Sequence, residues 1–383
     1  MQKCDVLVIG GGPAGASLAY YLAKKNLSVV LAEKKKYIDR PVRCAEFVPA
    51  NIAGLFDFKI SGINNQVRIL ETYCASSKKE KFRLLAQTAA PGFILDRDIF
   101  VNDIVSKYEN LGGKLLKCKK AVAAKHDSGY FIVALRKSFS QNYSYIKTRI
   151  IAGADGPLSF TGKLISASEN AGACSTAYST NTAFMYAIQQ NPAILPNQPY
   201  CHRVFFVPYI RCGYGWIFPK TESINLGIGQ DSASELKSVL GIFVNHLVSC
   251  GLLNSNLADF NRNKKITVIT GIVPVSGIVE KPASEGLILI GDAAGLCNPV
   301  TGAGIFNAIY SARLASETIL KALKHGDLKI LAEIKQAYEK ELGPSINRAL
   351  GRKALMTKNW KDYMPAFPDL VRQSWVAFKD YWK

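Results

Sequence analysis

Gly10, Gly12 and Gly15 stand in a G-x-G-x-x-G spacing within VIGGGPAGAS, and Glu33 closes the next apolar run, SVVLAE. Between a strand and a helix, these glycines permit a tight turn and let a pyrophosphate approach the helix N-terminus, where free N–H groups favour negative charge. An acidic side chain at the end of the following strand is placed to accept hydrogen bonds from a ribose. The chemistry implied is dinucleotide binding. Far downstream, GYGWIFPK puts Tyr214, Trp216 and Phe218 on alternate positions and stops at Pro219. At a strand's period of two they share one face, and three adjacent aromatics there either wall an apolar cavity or fill a core.

The elements that must hold these residues follow from periodicity. DVLVI (5–9) reads as a buried parallel strand, GGGPAG (10–15) as a turn, 16–26 as a helix and 28–33 as the next strand, a βαβ unit. VRILETYC and KFRLL read as antiparallel strands around the charged loop ASSKKEK. Residues 94–113 have helical periodicity ending on two glycines, 114–156 return to the first sheet, 175–230 are strand-rich, and 234–253 form an amphipathic helix. GLILIGDAAG (286–295) is another buried strand entering a turn, and the chain from about 306 is helical.

With 383 residues and 48% hydrophobic content, the chain is long enough for two or three lobes. Nine cysteines without a C-x-x-C pair or a His/Cys cluster argue against a zinc site and a secreted disulfide framework. The net charge of +19 favours anionic partners: nucleic acid, phosphorylated substrates or an acidic membrane face. The basic residues are dispersed and carry no RNA-binding motif, so nucleic acid is not expected. No uncharged apolar run reaches membrane-spanning length, and MQKCDVLVIGGG arrives at glycine too early for a signal peptide, which reads as a cytoplasmic protein.

IIAGADGPLSF (150–160) and LILIGDAAGLCNPVTGAGI (287–305) resemble the DG and GD motifs of flavoprotein hydroxylases of the p-hydroxybenzoate hydroxylase type, and Arg97 in ILDRDIF stands where that superfamily's helix arginine contacts FAD. RPVRCAEFVP (41–50) together with GYGWIFPK resembles the geranylgeranyl reductase branch, whose members saturate isoprenoid double bonds with reduced FAD. The resemblance implies an α/β fold: a discontinuous Rossmann-like FAD-binding domain (1–60, 93–165 and 265–330), an antiparallel β-sheet substrate domain (61–92 and 166–264) and a helical C-terminal region (331–383). It implies FAD contacts from Gly10, Gly12, Pro13, Ala14 and Gly15; from Glu33, Arg43, Cys44, Ala45 and Arg97; and from Asp155, Gly156, Asp292, Gly302, Ala303, Gly304 and Ile305. Asp292 can accept from a ribityl hydroxyl, while the N–H groups at the following helix start would stabilise negative charge on a reduced flavin. No second G-x-G-x-x-G occurs, so NAD(P)H or another reductant must visit without its own Rossmann domain.

The implied reaction is reduction of an isoprenoid C=C bond by hydride from the reduced flavin, with a proton from an acid. Cys44 and Tyr214 are candidate acids beside a flavin-bound water, and with Trp216 they make the catalytic set; Tyr214, Trp216 and Phe218 line the prenyl site. Cys297 lies in the flavin-contacting turn, so Cys44 and Cys297 are either a redox pair or two thiols that merely pack. The four histidines (His126, His202, His246, His325) are isolated from one another and from any carboxylate pattern and are assigned no chemistry; His202, in a strand that borders the substrate domain, is the one candidate among them. In the tail, Val371, Trp375, Phe378 and Trp382 follow helical spacing, with Arg372, Lys379 and Lys383 off the stripe. Two readings are open: a basic aromatic helix lying on an anionic membrane, or a helix packed on its own body. A monooxygenase or halogenase of the same fold is the rival enzyme.

Overall fold

The structure, a computed structural model, describes residues 1–138, 140–167, 184–190, 201–254, 268–361 and 366–383. Of the stretch read as strand-rich, 175–183 and 191–200 lie outside the described residues.

The chain opens with β1 (Gln2–Ile9), α1 (Pro13–Ala23) and β2 (Val29–Ala32), then runs through β3 (Phe47–Pro49), β4 (Ile63–Cys74) and β5 (Arg83–Leu95). Next come α2 (Arg97–Asn110), β6 (Lys114–Leu116), β7 (Lys119–Asp127), β8 (Tyr130–Lys137), β9 (Tyr143–Gly153) and α3 (Phe160–Ala167). They are followed by β10 (Phe184–Gln190), β11 (His202–Phe206), β12 (Tyr214–Pro219), β13 (Ile224–Gln230), α4 (Leu236–Ser249) and β14 (Val268–Pro274). The rest is β15 (Ala283–Ser284), β16 (Leu287–Leu289), α5 (Ile305–His325), α6 (Ile334–Glu341), α7 (Gly343–Asn359), α8 (Phe367–Ser374) and α9 (Lys379–Trp382).

Two sheets organise these elements. In the first, β16, β9, β1, β2 and β6 lie side by side and parallel, with Val6 opposite both Val29 and Ile150. A parallel sheet is covered on both faces, which is why β1 is an unbroken apolar run: Val6, Leu7 and Val8 are wholly buried. β7 and β8 extend this sheet antiparallel from β9. Helix α1 starts at Pro13, three residues before the sequence expectation, because proline at the first helical turn has its φ preset and its missing N–H is one the helix does not use.

The second sheet has the order β14-β10-β13-β12-β11-β4-β5-β3 and is antiparallel except where β11 meets β4. Strands β3 and β14 both pair here, although the sequence boundaries put 47–49 and 268–274 in the FAD-binding domain. Each is an edge strand whose partner is distant in sequence. β12 is internal and buried on both faces. A Cβ on Gly215 would meet the Phe243 ring of α4 at 2.3 Å, whereas Tyr214, Trp216 and Phe218 face the other way, with Val204 and Phe206. Trp216 pairs in register with Gly227, and a Cβ on Gly227 would stand 2.4 Å from the indole. The bulk on β12 is thus accommodated by the missing side chain on β13.

The tail differs from a single interfacial helix. It breaks between α8 and α9, and Val371 and Trp375 are 1% and 3% exposed. The Trp375 ring lies 4.9 Å from Tyr214 and 5.0 Å from Phe206, centroid to centroid. The aromatic stripe is spent on the second sheet, leaving Trp382 as its exposed end at 57%. Among the described residues, no helix is long and apolar enough to cross a membrane.

Candidate active site

One cavity of about 540 Å³ runs between the two sheets, and every residue expected at the site lines it except Gly15. A Cβ on Gly15 would stand 1.8 Å from the Gly10 carbonyl oxygen, so that glycine holds the turn closed while its neighbours face the space. A Cβ on Gly12 would meet nothing within 4 Å. Helix α1 begins there with no side-chain cap and no acidic residue in its first turn, so its N–H groups point an uncompensated positive end at the cavity. Glu33 is 6% exposed and accepts the Gly11 N–H at 2.7 Å and the Lys35 N–H at 2.8 Å. The carboxylate therefore braces the glycine turn, and each oxygen retains a second lone pair for a ribose hydroxyl.

The late motif brings a second helix start to the same space. α5 begins after Gly304, again without a side-chain cap or an acidic first turn, and Gly302, Ala303 and Ile305 border the cavity with it. Asp292 faces them. Burial pushes its carboxyl above the usual carboxylate range, Arg97 opposes that, and among the described residues nothing donates a hydrogen bond to it. A half-buried acceptor to which no described residue donates, an open glycine cradle and two bare helix N-termini in one cavity suit a dinucleotide carrying a pyrophosphate and a polyol, which is the chemistry of FAD.

Two expected cofactor residues are largely occupied by the protein. Arg97 holds Asp39 in a two-bonded ion pair, Nε at 2.6 Å and Nη2 at 2.7 Å, which raises the guanidinium's affinity for its proton against the cost of burial. Asp155 caps α3: its carboxylate accepts from the Ser159 hydroxyl, from the Phe160 N–H at 2.7 Å and from the Thr161 N–H at 3.3 Å. Both still border the cavity, as do Gly156, Arg43, Cys44 and Ala45.

Cys44, Cys297 and Tyr214 meet in the middle. Burial pushes both thiols up; Arg97 is the strongest influence lowering Cys44, while Asp292 raises Cys297 further. The Cys44 sulfur accepts the Glu46 N–H at 3.2 Å. Cys297 instead donates its S–H to the Gly302 carbonyl at 3.1 Å, and Tyr214 donates its hydroxyl to the Thr301 carbonyl at 2.5 Å. No disulfide is present among the described residues.

Beyond this junction the cavity is apolar. Trp216 donates its indole N–H to Asn225 at 2.9 Å, with Tyr214 and Phe218 on either side, and Trp375 and Val376 from the tail complete the wall. His202 stays behind Phe218, outside the cavity, with burial lowering its pKa to about 4. The wall residues of the tail were missed from sequence. So were Asn225, Lys220 and Glu46, a polar group between the two sheets. Acidic and basic residues inside otherwise apolar segments, EFV and FPK, were the available signal.

Comparison with known proteins gives the same direction. The family model described as FAD dependent oxidoreductase matches residues 5–40. The digeranylgeranylglycerophospholipid reductase of Thermoplasma volcanium is 30% identical over 337 residues, covering 85% of this chain and 80% of the relative. A solved geranylgeranyl bacteriochlorophyll reductase-like protein of Thermoplasma acidophilum superposes with a TM-score of 0.76 at 23% identity, covering 98% of this chain and 97% of that one. The p-nitrophenol 4-monooxygenase of Pseudomonas putida shares the fold at 16% identity and a TM-score of 0.68, covering 100% and 99%. Reductase relatives align across most of the sequence while the monooxygenase shares the fold alone, so the chain belongs to the geranylgeranyl reductase family of FAD-dependent oxidoreductases.

Proposed function

We propose that the protein saturates C=C bonds in the isoprenoid chains of a glycerophospholipid. The observation that carries this reading is one continuous cavity with a dinucleotide cradle at one end and an apolar aromatic wall at the other. When bound, FAD supplies the hydride. Gly12 and the α1 N-terminus would hold its pyrophosphate, Asp292 would accept from its polyol, and Tyr214, Trp216 and Phe218 would line the path of the prenyl chain. Burial of that chain excludes water from the junction.

An isolated trisubstituted alkene accepts hydride poorly unless a proton arrives with it or ahead of it, so the acid matters. The protons of Tyr214 and Cys297 are committed to the Thr301 and Gly302 carbonyls, whereas the Cys44 sulfur receives a bond from Glu46 and keeps its own S–H available. Cys44 is the proton donor in this reading. The reductant is NAD(P)H or another carrier that visits the cavity mouth.

The test is anaerobic incubation of dithionite-reduced enzyme with a geranylgeranyl-bearing glycerophospholipid, followed by mass spectrometry. Products heavier by pairs of hydrogens are expected; strict dependence on oxygen with an oxygen-bearing product would replace the reductase with the rival monooxygenase. Membrane access rests on the exposed part of the tail, Trp382 with the exposed Lys379 and Lys383. Trp382→Ala should weaken co-sedimentation with anionic vesicles and leave flavin content unchanged. Undiminished co-sedimentation places the contact elsewhere. Deleting the whole tail is a poor substitute, because it strips Trp375 and Val376 from the cavity wall.

A further inference from the structure

Glu46 is 1% exposed and has φ +66°, the left-handed conformation that a side chain of its kind seldom adopts. Such a backbone persists only where its surroundings hold it. Here they do so on every side. The carboxylate accepts the Arg97 N–H at 3.0 Å, the Lys220 ammonium at 2.6 Å and the Asn225 amide at 3.2 Å. The Glu46 carbonyl accepts the Leu95 N–H at 3.0 Å. Lys220 is 8% exposed and also pairs with Asp96 at 3.0 Å. Asn225 in turn donates to the Cys44 carbonyl at 2.8 Å and accepts the Trp216 indole N–H.

A buried ion pair is a weak source of stability against an apolar alternative, since both charges lose their water. What this one fixes is direction. The peptide N–H of Glu46 reaches the Cys44 sulfur in the observed left-handed turn. We infer that Lys220 and Glu46 are a positioning pair: by clamping that turn they hold the Glu46 N–H on the Cys44 sulfur and fix the thiol at the junction of cofactor cradle and aromatic wall. The inference rests on the reading of Cys44 as proton donor only for its catalytic consequence; the geometry is independent of it. An N–H bonded to sulfur favours the thiolate, so the clamp also sets how readily the proton leaves. The other titratable groups around the sulfur are Arg97 from α2, Tyr214 from β12 and Cys297 from the turn before α5.

The experiment measures iodoacetamide labelling of Cys44 against pH in the FAD-loaded protein, read on the Cys44 peptide by mass spectrometry. Lys220→Met should move the midpoint of labelling up by about one pH unit, roughly tenfold less thiolate at a given pH below it. Lys220→Arg should restore the wild-type profile. The double variant Glu46→Gly/Lys220→Met removes both buried charges together and gives the turn a residue at ease in the left-handed region. Its midpoint should stay raised, because no carboxylate is left to hold the turn, and it remains informative if Lys220→Met alone does not fold. An unchanged midpoint in Lys220→Met, or a double variant back at the wild-type midpoint, which an unpaired Glu46 charge alone would explain, overturns the inference. Turnover of Cys44→Ser is scored separately: if it still reduces prenyl chains at the wild-type rate, Cys44 is not the donor, while the labelling result still decides the clamp.

Discussion

Trp216→Ala keeps FAD and loses turnover of a prenyl lipid by about a hundredfold, the scale on which a misplaced reacting group costs rate. The indole stands on the wall away from the glycine cradle, and no residue of GGGPAG or GDAAG depends on it for a hydrogen bond. Its removal deletes the centre of the aromatic face and leaves the Asn225 side-chain oxygen without its N–H partner in a fully buried position. A buried tryptophan truncated to alanine costs about 3–5 kcal/mol, so a lower melting temperature is expected as well. Trp216→Phe separates the effects: it refills much of the volume but returns no donor to Asn225. Flavin absorbance after gel filtration and two-hydrogen product yield are the two readouts. If Trp216→Ala emerges without flavin while still folded, the stripe belongs to the cofactor's support and the prenyl wall must be sought elsewhere.

Gly12→Ala and Gly15→Ala differ by one helical turn and should fail in different ways. At Gly12 the added methyl enters open space, at φ −77° and ψ −172°, a conformation any residue adopts. The apoprotein should therefore melt within about 2 °C of wild type, a stability change well under about 1 kcal/mol. The same methyl occupies the approach to the α1 N-terminus, and FAD affinity should fall at least about tenfold, or about 1.4 kcal/mol. At Gly15 the methyl would lie 1.8 Å from the Gly10 oxygen, so the turn must open and little folded protein is expected. Thermal melts of the flavin-free proteins and fluorescence titration with FAD distinguish them. A Gly12→Ala protein that binds FAD as tightly as wild type would remove the pyrophosphate from this turn.

How far the sequence carried depended on the distance between partners. β1, the glycine turn and α1 were legible because strand, turn and helix are contiguous, and their apolar periodicity reports burial directly. The alternation in GYGWIFPK gave the right face of β12 for the same reason, since Gly215 and Ile217 do go to α4 while the aromatics go to the cavity. Glu46 and Lys220 were invisible as a pair: nothing local distinguishes a charge clamped across two sheets from one in solvent. Arg97 was placed at the cavity, yet its ion pair with Asp39 joins α2 to a loop that sequence left unassigned. The tail's helical spacing was correct at Val371 and Trp375 and misleading beyond, because periodicity marks an apolar stripe without saying what covers it.

Trp375 reaches Tyr214 from far along the chain, and together they face a space whose other end is built by Gly10 and Gly12. During vectorial synthesis the cradle and its helix emerge first, and the wall stays open until the α8 segment has followed. Such long-range contacts form late, because the intervening loop must be closed before they contribute. The apolar end is thus closed by a contact that spans much of the chain, while the glycine turn is built from neighbours in sequence, so loss of Trp375 opens the wall and leaves the residues of the cradle in place.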